Sequence, residues 1–402
     1  MRILIVTQYY WPENFRINDL SLALTERGHQ VVVLTGKPNY PHGRFFDGYS
    51  FFSKRTEYWN GIKICRSPLI PRGKGGRLRL LMNYLSFAFL NALRGLFIED
   101  KFDKIFVFEP SPITVGLPAI LMKWKKKAPI YFWVQDLWPH SVVAAGGVGN
   151  RTVMKYLNKL TRWIYKKSDK ILVQSEAFRE IIENQGVARN NILFYPNSVE
   201  KLFSVSQPKD SVLDSLPVGF RIMFAGNIGE AQDFETIIEA ARLVAARNPC
   251  IKWVILGDGR KRSYVKEKII EFNLKDQVYL MGHYPMEKMP EFYACADCLL
   301  VSLKRDYIFS LTIPSKMQSY LACGRPILAS IDGEGGKILI KAKAGLVVES
   351  ESPEKLADKV LEFYNLTEIE RNLMGKNARK YFEANFEREL LVDSLEQILK
   401  DG

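Results

Sequence analysis

Short runs of uninterrupted apolar residues, each followed by a helical period, constrain this chain more than any other feature. Met1-Arg-Ile-Leu-Ile-Val-Thr7 is followed by apolar positions at Ile17, Leu20 and Leu24, then by Gly28 and a second run, Val31–Leu34. A strand that is apolar on both faces must be covered on both faces, and a covering helix between two such strands makes them parallel. Gly28 stands where a helix-terminating glycine belongs. Further runs lie near Ile105–Phe108, Ile130–Val134 and Ile171–Val173. The periodicity stops between Pro196 and Gly219, where Ser204-Val-Ser-Gln-Pro-Lys-Asp-Ser211 reads as a linker. A second series then opens with strands expected at Arg221–Ala225, Trp253–Leu256, Val278–Met281 and Cys298–Val301, continues to Pro326–Ser330 and Gly345–Val348, and ends in helices. The expected fold class is α/β, with two doubly wound domains facing a central cleft and ligands at the carboxyl ends of the strands. The expected boundaries are 1–198 and 199–384, with a last helix over about 385–402 packing back on the first domain.

At 402 residues the chain is long enough for two full cores. Five scattered cysteines, including a lone Cys295-x-x-Cys298, lack the partners of a zinc site and read as core thiols of a reduced, cytoplasmic protein; the opening residues show no signal-peptide pattern. The charge is unevenly placed. Residues 1–200 carry 29 basic and 15 acidic side chains, a net +14, whereas residues 201–402 carry 28 and 29, a net −1. The first half therefore expects an anionic surface, either nucleic acid or membrane.

Three glycine-containing turns in the second series suit a phosphate ligand: Gly226-Asn-Ile-Gly229, Gly257-Asp-Gly-Arg-Lys261 and Gly333-Glu-Gly-Gly336. Uncrowded amides and helix N-termini attract a diphosphate, with Arg260 and Lys261 as counter-charges. Neither G-x-G-x-x-G nor a P-loop occurs, there is no D-x-D pair, and the four histidines show no ligand spacing. No metal and no cofactor are expected; cationic side chains and dipoles would stabilise a diphosphate leaving group.

Tyr9-Tyr-Trp-Pro-Glu13, Arg27-Gly-His29, Gln135-Asp-Leu-Trp-Pro139, Pro196-Asn-Ser-Val199 and Tyr320-Leu-Ala-Cys-Gly-Arg-Pro-Ile327 together resemble glycosyltransferase family 4. The resemblance spans nearly the whole chain. It implies two Rossmann-like domains in the GT-B arrangement, a nucleotide sugar used without metal, and retention of anomeric configuration. The stretches Trp11–Asp19 and Ile313–Tyr320 look most similar to bacterial O-antigen and capsule transferases, including those that move N-acetyl-L-fucosamine. The chain also departs from the family pattern. The glutamate that usually holds the ribose falls on Ser319, and its partner eight residues earlier in the motif on Leu311. The usual Arg and Lys for the diphosphate fall on Asn227 and Gln232, the small glycine pair of the first domain on Phe15 and Arg16, and the sugar-proximal histidine on Asp136. Catalytic roles are therefore expected of Asp136, at the sugar-proximal position that the resemblance implies, of Lys316, as a replacement charge for the diphosphate, and of Glu13, which follows a strand-end turn and reads as a general base or an acceptor ligand. Substrate contacts are expected from Asn14, Arg16, Asn227, Gly229, Gln232, Gly257, Arg260, Thr312, Ser315 and Ser319.

Arg72, Lys74, Arg77 and Arg79 lead into Leu80–Ile98, an apolar stretch broken by Asn83, Asn91 and Arg94. That pattern fits a helix lying in a membrane interface, with the cations on headgroups. Lys155, Lys159, Arg162 and Lys166 recur at helical spacing, and Lys123-Trp-Lys-Lys-Lys127 adds a third cluster. The basic runs flank apolar helices and match no nucleic-acid motif, so an anionic membrane is the expected partner and nucleic acid is not. The sequence reading is a UDP-sugar-dependent transferase acting on a polyprenyl-diphosphate-linked acceptor, peripheral on the inner face of the cell membrane. An epimerase of UDP-N-acetylhexosamine and an inactive membrane scaffold are the alternatives.

Overall fold

A computed structural model describes residues 1–141 and 150–401. They form two compact units, residues 1–196 with 391–402, and residues 197–390.

In the first unit the strands are β1 (Arg2–Val6), β2 (Gln30–Gly36), β3 (Thr56–Trp59), β4 (Ile62–Ser67), β5 (Lys104–Glu109), β6 (Ile130–Val134), β7 (Lys170–Val173) and β8 (Ile192–Phe194). Their order is β3-β4-β2-β1-β5-β6-β7-β8, parallel apart from the edge strand β3. The order reverses between β1 and β5, and the loops leaving these two strands therefore diverge and open a crevice. α1 (Arg16–Glu26) packs against β2 and β4. α2 (Arg77–Leu96), α3 (Gly116–Lys126) and α4 (Arg151–Lys167) pack successively against one another. α5 (Phe178–Asn184) precedes β8.

The second unit holds β9 (Phe220–Ala225), β10 (Ile251–Leu256), β11 (Val278–Gly282), β12 (Cys298–Ser302), β13 (Ile327–Ser330) and β14 (Gly345–Val348), in the order β11-β10-β9-β12-β13-β14 and all parallel. Here the switch point lies between β9 and β12. The helices that matter to the site are α6 (Phe234–Arg247), α7 (Arg262–Glu271), α8 (Met289–Ala294), α9 (Tyr307–Leu311), α10 (Ser315–Ala322), α11 (Glu334–Ala342), α12 (Pro353–Asn365) and α13 (Glu368–Asn385).

Three local readings change. The polar stretch after Pro196 is no free linker: Val199, Phe203, Val212 and Leu216 are buried in the second unit's core. The boundary therefore falls between Pro196 and Asn197, where the strand series of the first sheet has ended. The chain returns at Leu391, later than the expected 385, because Phe382 and Phe386 still pack in the second core. Leu391, Val392, Leu395 and Leu399 of α14 (Arg388–Asp401) pack with the first. The Gly333 turn is the start of α11. Gly333 has φ +75° and a Cβ there would lie 1.9 Å from the Ser310 carbonyl oxygen, so close backbone approach requires the glycine.

Candidate active site

The second unit assembles its polar groups at the carboxyl end of β9. Tyr320 on α10 is fully buried and its hydroxyl accepts from the Ala225 amide, 3.0 Å, at the last residue of β9. That bond fixes α10 against the strand end and sets Lys316, one turn earlier, over the Phe224 ring with Nζ 3.9 Å from its centroid. Nζ donates to Gln232 Oε1. Among the described residues no carboxylate pairs with it. Loss of water around this half-buried ammonium lowers its pKa to about 7. Lys316, Gln232 and the Gly226 turn, far apart in sequence, therefore share one place; a Cβ on Gly226 would sit 3.6 Å from Nζ.

Beside this place is a cavity of about 410 Å³, lined by Gly226, Asn227, Gly257, His283, Tyr284 and Tyr293 among others. His283 and Tyr284 follow β11, and Tyr284 packs on Phe292 with ring centroids 4.5 Å apart. Sequence reasoning missed both; their only signal was a position just past an apolar run. The two glycine turns are less open than expected. Ile228 N donates to Asp258 O, 2.8 Å, and Lys261 N to Ile228 O, 2.9 Å, so each turn satisfies the other. Gly257, φ +141°, is needed because a Cβ would lie 1.9 Å from the Gly226 carbonyl oxygen. Gly229 closes the first turn over the Asn227 side chain.

The expected counter-charges separate. Lys261 is engaged with Glu230 and Glu235, each at 2.8 Å, and Lys304 also pairs with Glu230. That network neutralises Lys261. Arg260 is exposed. On the motif that lacks glutamates, Ser319 is buried and donates to the Ser315 carbonyl, 3.4 Å, while Thr312 donates to the Ile308 carbonyl, 2.8 Å. Ser315 is the exposed first residue of α10.

In the first unit Glu13 is buried, not presented to solvent. Its Oε1 accepts from Asn39 N, 2.8 Å, and Tyr40 N, 2.7 Å, and its Oε2 from Tyr10 N, 3.2 Å. The carboxylate braces the loops after β1 and β2. Burial nevertheless raises its pKa to about 7. Asn14 beside it is exposed, and Arg16 opens α1. Arg72 is not free for headgroups: it donates to the Tyr9 hydroxyl, 3.0 Å, and lies over Tyr40. Asp136, two residues past β6, is half-buried, and burial raises its pKa to about 6.

Two family models match the chain. One described as "Glycosyl transferase 4-like domain" covers residues 14–198, and "Glycosyl transferases group 1" covers residues 218–381. The chain belongs to the family 4 glycosyltransferases. Among curated relatives, the putative colanic acid biosynthesis glycosyl transferase WcaI of Escherichia coli is 25% identical over 81% of this chain and 82% of its own length. The probable glycosyltransferase WbjE of Pseudomonas aeruginosa is 25% identical over 63% of each chain. The structure of Anabaena HepE in complex with UDP is 12% identical and covers all of both chains with a TM-score of 0.71. This likeness and the two parallel sheets establish a GT-B glycosyltransferase fold.

Proposed function

We propose that this glycosyltransferase moves a sugar from a UDP-sugar to a polyprenyl-diphosphate-linked acceptor at an anionic membrane surface, without a metal and with retention of configuration. The observation that carries the donor half is Lys316: a half-buried cation with no acid partner, at the switch point of a doubly wound sheet, beside a cavity fit for a nucleotide. A diphosphate would supply the negative charge that this site lacks, and protonated Lys316 would stabilise the charge growing on it as the sugar leaves. The leaving phosphate would take the acceptor hydroxyl's proton, and Asp136 would accept a hydrogen bond from a sugar hydroxyl. An N-acetylated deoxyhexose such as N-acetyl-L-fucosamine is the proposed sugar, in O-antigen or capsule synthesis.

α2 supports the membrane half. Its polar residues Asn83 and Asn91 are fully buried, bonding Ile70 O at 2.6 Å and Thr35 O at 3.0 Å. Phe87 and Ala88 are buried with them, while other apolar residues face outward: Leu78 is 70% exposed, Leu85 53% and Phe89 66%. A helix that exposes so many large apolar side chains marks an interaction surface. Arg151, Lys155, Lys159 and Arg162 of α4 line a groove of about 510 Å³, and among the described residues none of them is in an ion pair. No helix among the described residues is long and apolar enough to cross a membrane.

Thermal-shift measurements with UDP, GDP and TDP test the donor, with stabilisation by UDP expected and indifference to all three contradicting it. Flotation with vesicles of zwitterionic lipid, with and without anionic lipid, tests the membrane face. Binding that ignores lipid charge would contradict that part.

A further inference from the structure

β5 ends on a carboxylate that the proposed chemistry does not use. Lys104–Glu109 is apolar between its ends, and its last residue, Glu109, is fully buried at the switch point of the first sheet, between β1 and β6. Glu109 registers with Val134, and Asp136 lies two residues beyond. Among the described residues no side chain donates to either Glu109 oxygen. The groups facing it among those residues are Asp136, through its charge and its backbone amide, and, from α4, Tyr165; no cation is among them. Tyr165 is itself 1% exposed, and among the described residues its hydroxyl has no hydrogen-bond partner. Asp136 faces the Ser141 side chain and the Leu137 amide as well.

A carboxylate removed from water without a cation is held in its neutral form. Burial and the Asp136 charge push Glu109 well above the carboxylate range, while Asp136 stays at about 6. Environments that push two neighbouring acids apart give them different roles. At neutral pH one proton remains on Glu109, and Asp136 is the carboxylate.

We infer that Glu109 is a positioning residue for Asp136: a neutral carboxylic acid that, with the Tyr165 hydroxyl, offers donors to the Asp136 carboxylate through a bridging water. The arrangement holds that carboxylate oriented toward a sugar hydroxyl. Tyr165, buried and unpaired in the free protein, is explained by the same arrangement. The inference rests on the reading of Asp136 as sugar-proximal.

The test compares Glu109→Gln, Glu109→Ala and Asp136→Asn by the pH dependence of kcat/KM, read as UDP released from a panel of UDP-hexoses with a polyprenyl-diphosphate-linked sugar. Glu109→Gln keeps a neutral donor at the same place, so its acid limb should stay with the wild type. Glu109→Ala removes the donor; rate at neutral pH should fall about tenfold, the worth of one hydrogen bond to a charged group, and the acid limb should move to higher pH. An acid limb unmoved in Glu109→Ala overturns the inference. Full activity in Asp136→Asn overturns the reading of Asp136 itself, and the inference with it; an inactive Asp136→Asn with unmoved Glu109 profiles overturns the inference alone. Infrared difference spectra of wild type against Glu109→Gln need neither substrate nor the alanine variant. At neutral pH the difference spectrum should show the carbonyl band of one protonated acid that the wild type has and Glu109→Gln lacks, and the absence of that difference band overturns the inference.

Discussion

Replacing Lys316 by Met keeps the stem that lies over Phe224 and removes the charge. In the free protein that charge is disfavoured by lost hydration, which lowers the Lys316 pKa to about 7. A bound diphosphate reverses the balance, so UDP binding above pH 7 should draw a proton onto Lys316. UDP affinity should then weaken by up to about tenfold for each pH unit between about pH 7 and pH 9, where the phosphates no longer titrate. Isothermal titration in two buffers of different ionisation enthalpy should detect that proton. Hydrogen bonds to a charged group are worth roughly 1.5–3 kcal/mol, so Lys316→Met should bind UDP about ten- to a hundredfold more weakly and lose the pH dependence. Stability moves the other way. A lysine whose folded pKa is depressed destabilises the fold fully below that pKa, and the penalty disappears as pH approaches the unfolded value, so Lys316→Met should melt higher than wild type at neutral pH. Undiminished UDP binding in the variant, or wild-type affinity that ignores pH in this range, would refute the reasoning.

Glu13→Ala leaves three backbone amides without their acceptor and should cost about 2–4 kcal/mol in urea unfolding. Because burial raises the Glu13 pKa to about 7, its contribution should be present at acid pH and decline as pH rises to that value, a slope that the variant should lack. Gly257→Ala places a Cβ 1.9 Å from the Gly226 carbonyl oxygen, so UDP binding should be lost by calorimetry. Leu85→Glu with Phe89→Glu should abolish most vesicle binding in flotation, since each apolar side chain contributes on the order of 1 kcal/mol when about half its surface is newly buried. Chelation with EDTA should leave turnover unchanged.

Most strands that carry the fold were legible because each is a short apolar run, and β6 and β12 are buried along their whole length. β3, β4 and β8 were not: Thr56–Trp59 is an edge strand, Ile62–Ser67 carries Arg66, whose guanidinium is buried on Glu57 and the Gly36 carbonyl, and Ile192–Phe194 is only three residues long. Asn83 and Asn91 looked like interruptions of an apolar helix, yet they form its inner face, because buried backbone carbonyls on neighbouring segments need donors. At the site, Lys316, Gln232 and the Gly226 turn could each be named from the sequence, but their meeting depends on the strand order β11-β10-β9-β12-β13-β14. Lys261 showed the limit of charge reasoning, since its neutralising partners Glu230 and Glu235 come from the loop before α6 and from the start of α6. Glu109 was missed, although a single acid closing an apolar strand at a switch point is a signal that can be read.

Sugar transfer is the most direct measurement: mass spectrometry of the lipid and nucleotide products when the protein, on anionic vesicles, meets a UDP-sugar panel and a short-chain polyprenyl-diphosphate-linked GlcNAc. One added sugar on the lipid and one UDP released per transfer are expected. Conversion of the UDP-sugar without the lipid, or no product from a protein that binds UDP, would contradict the proposed transfer.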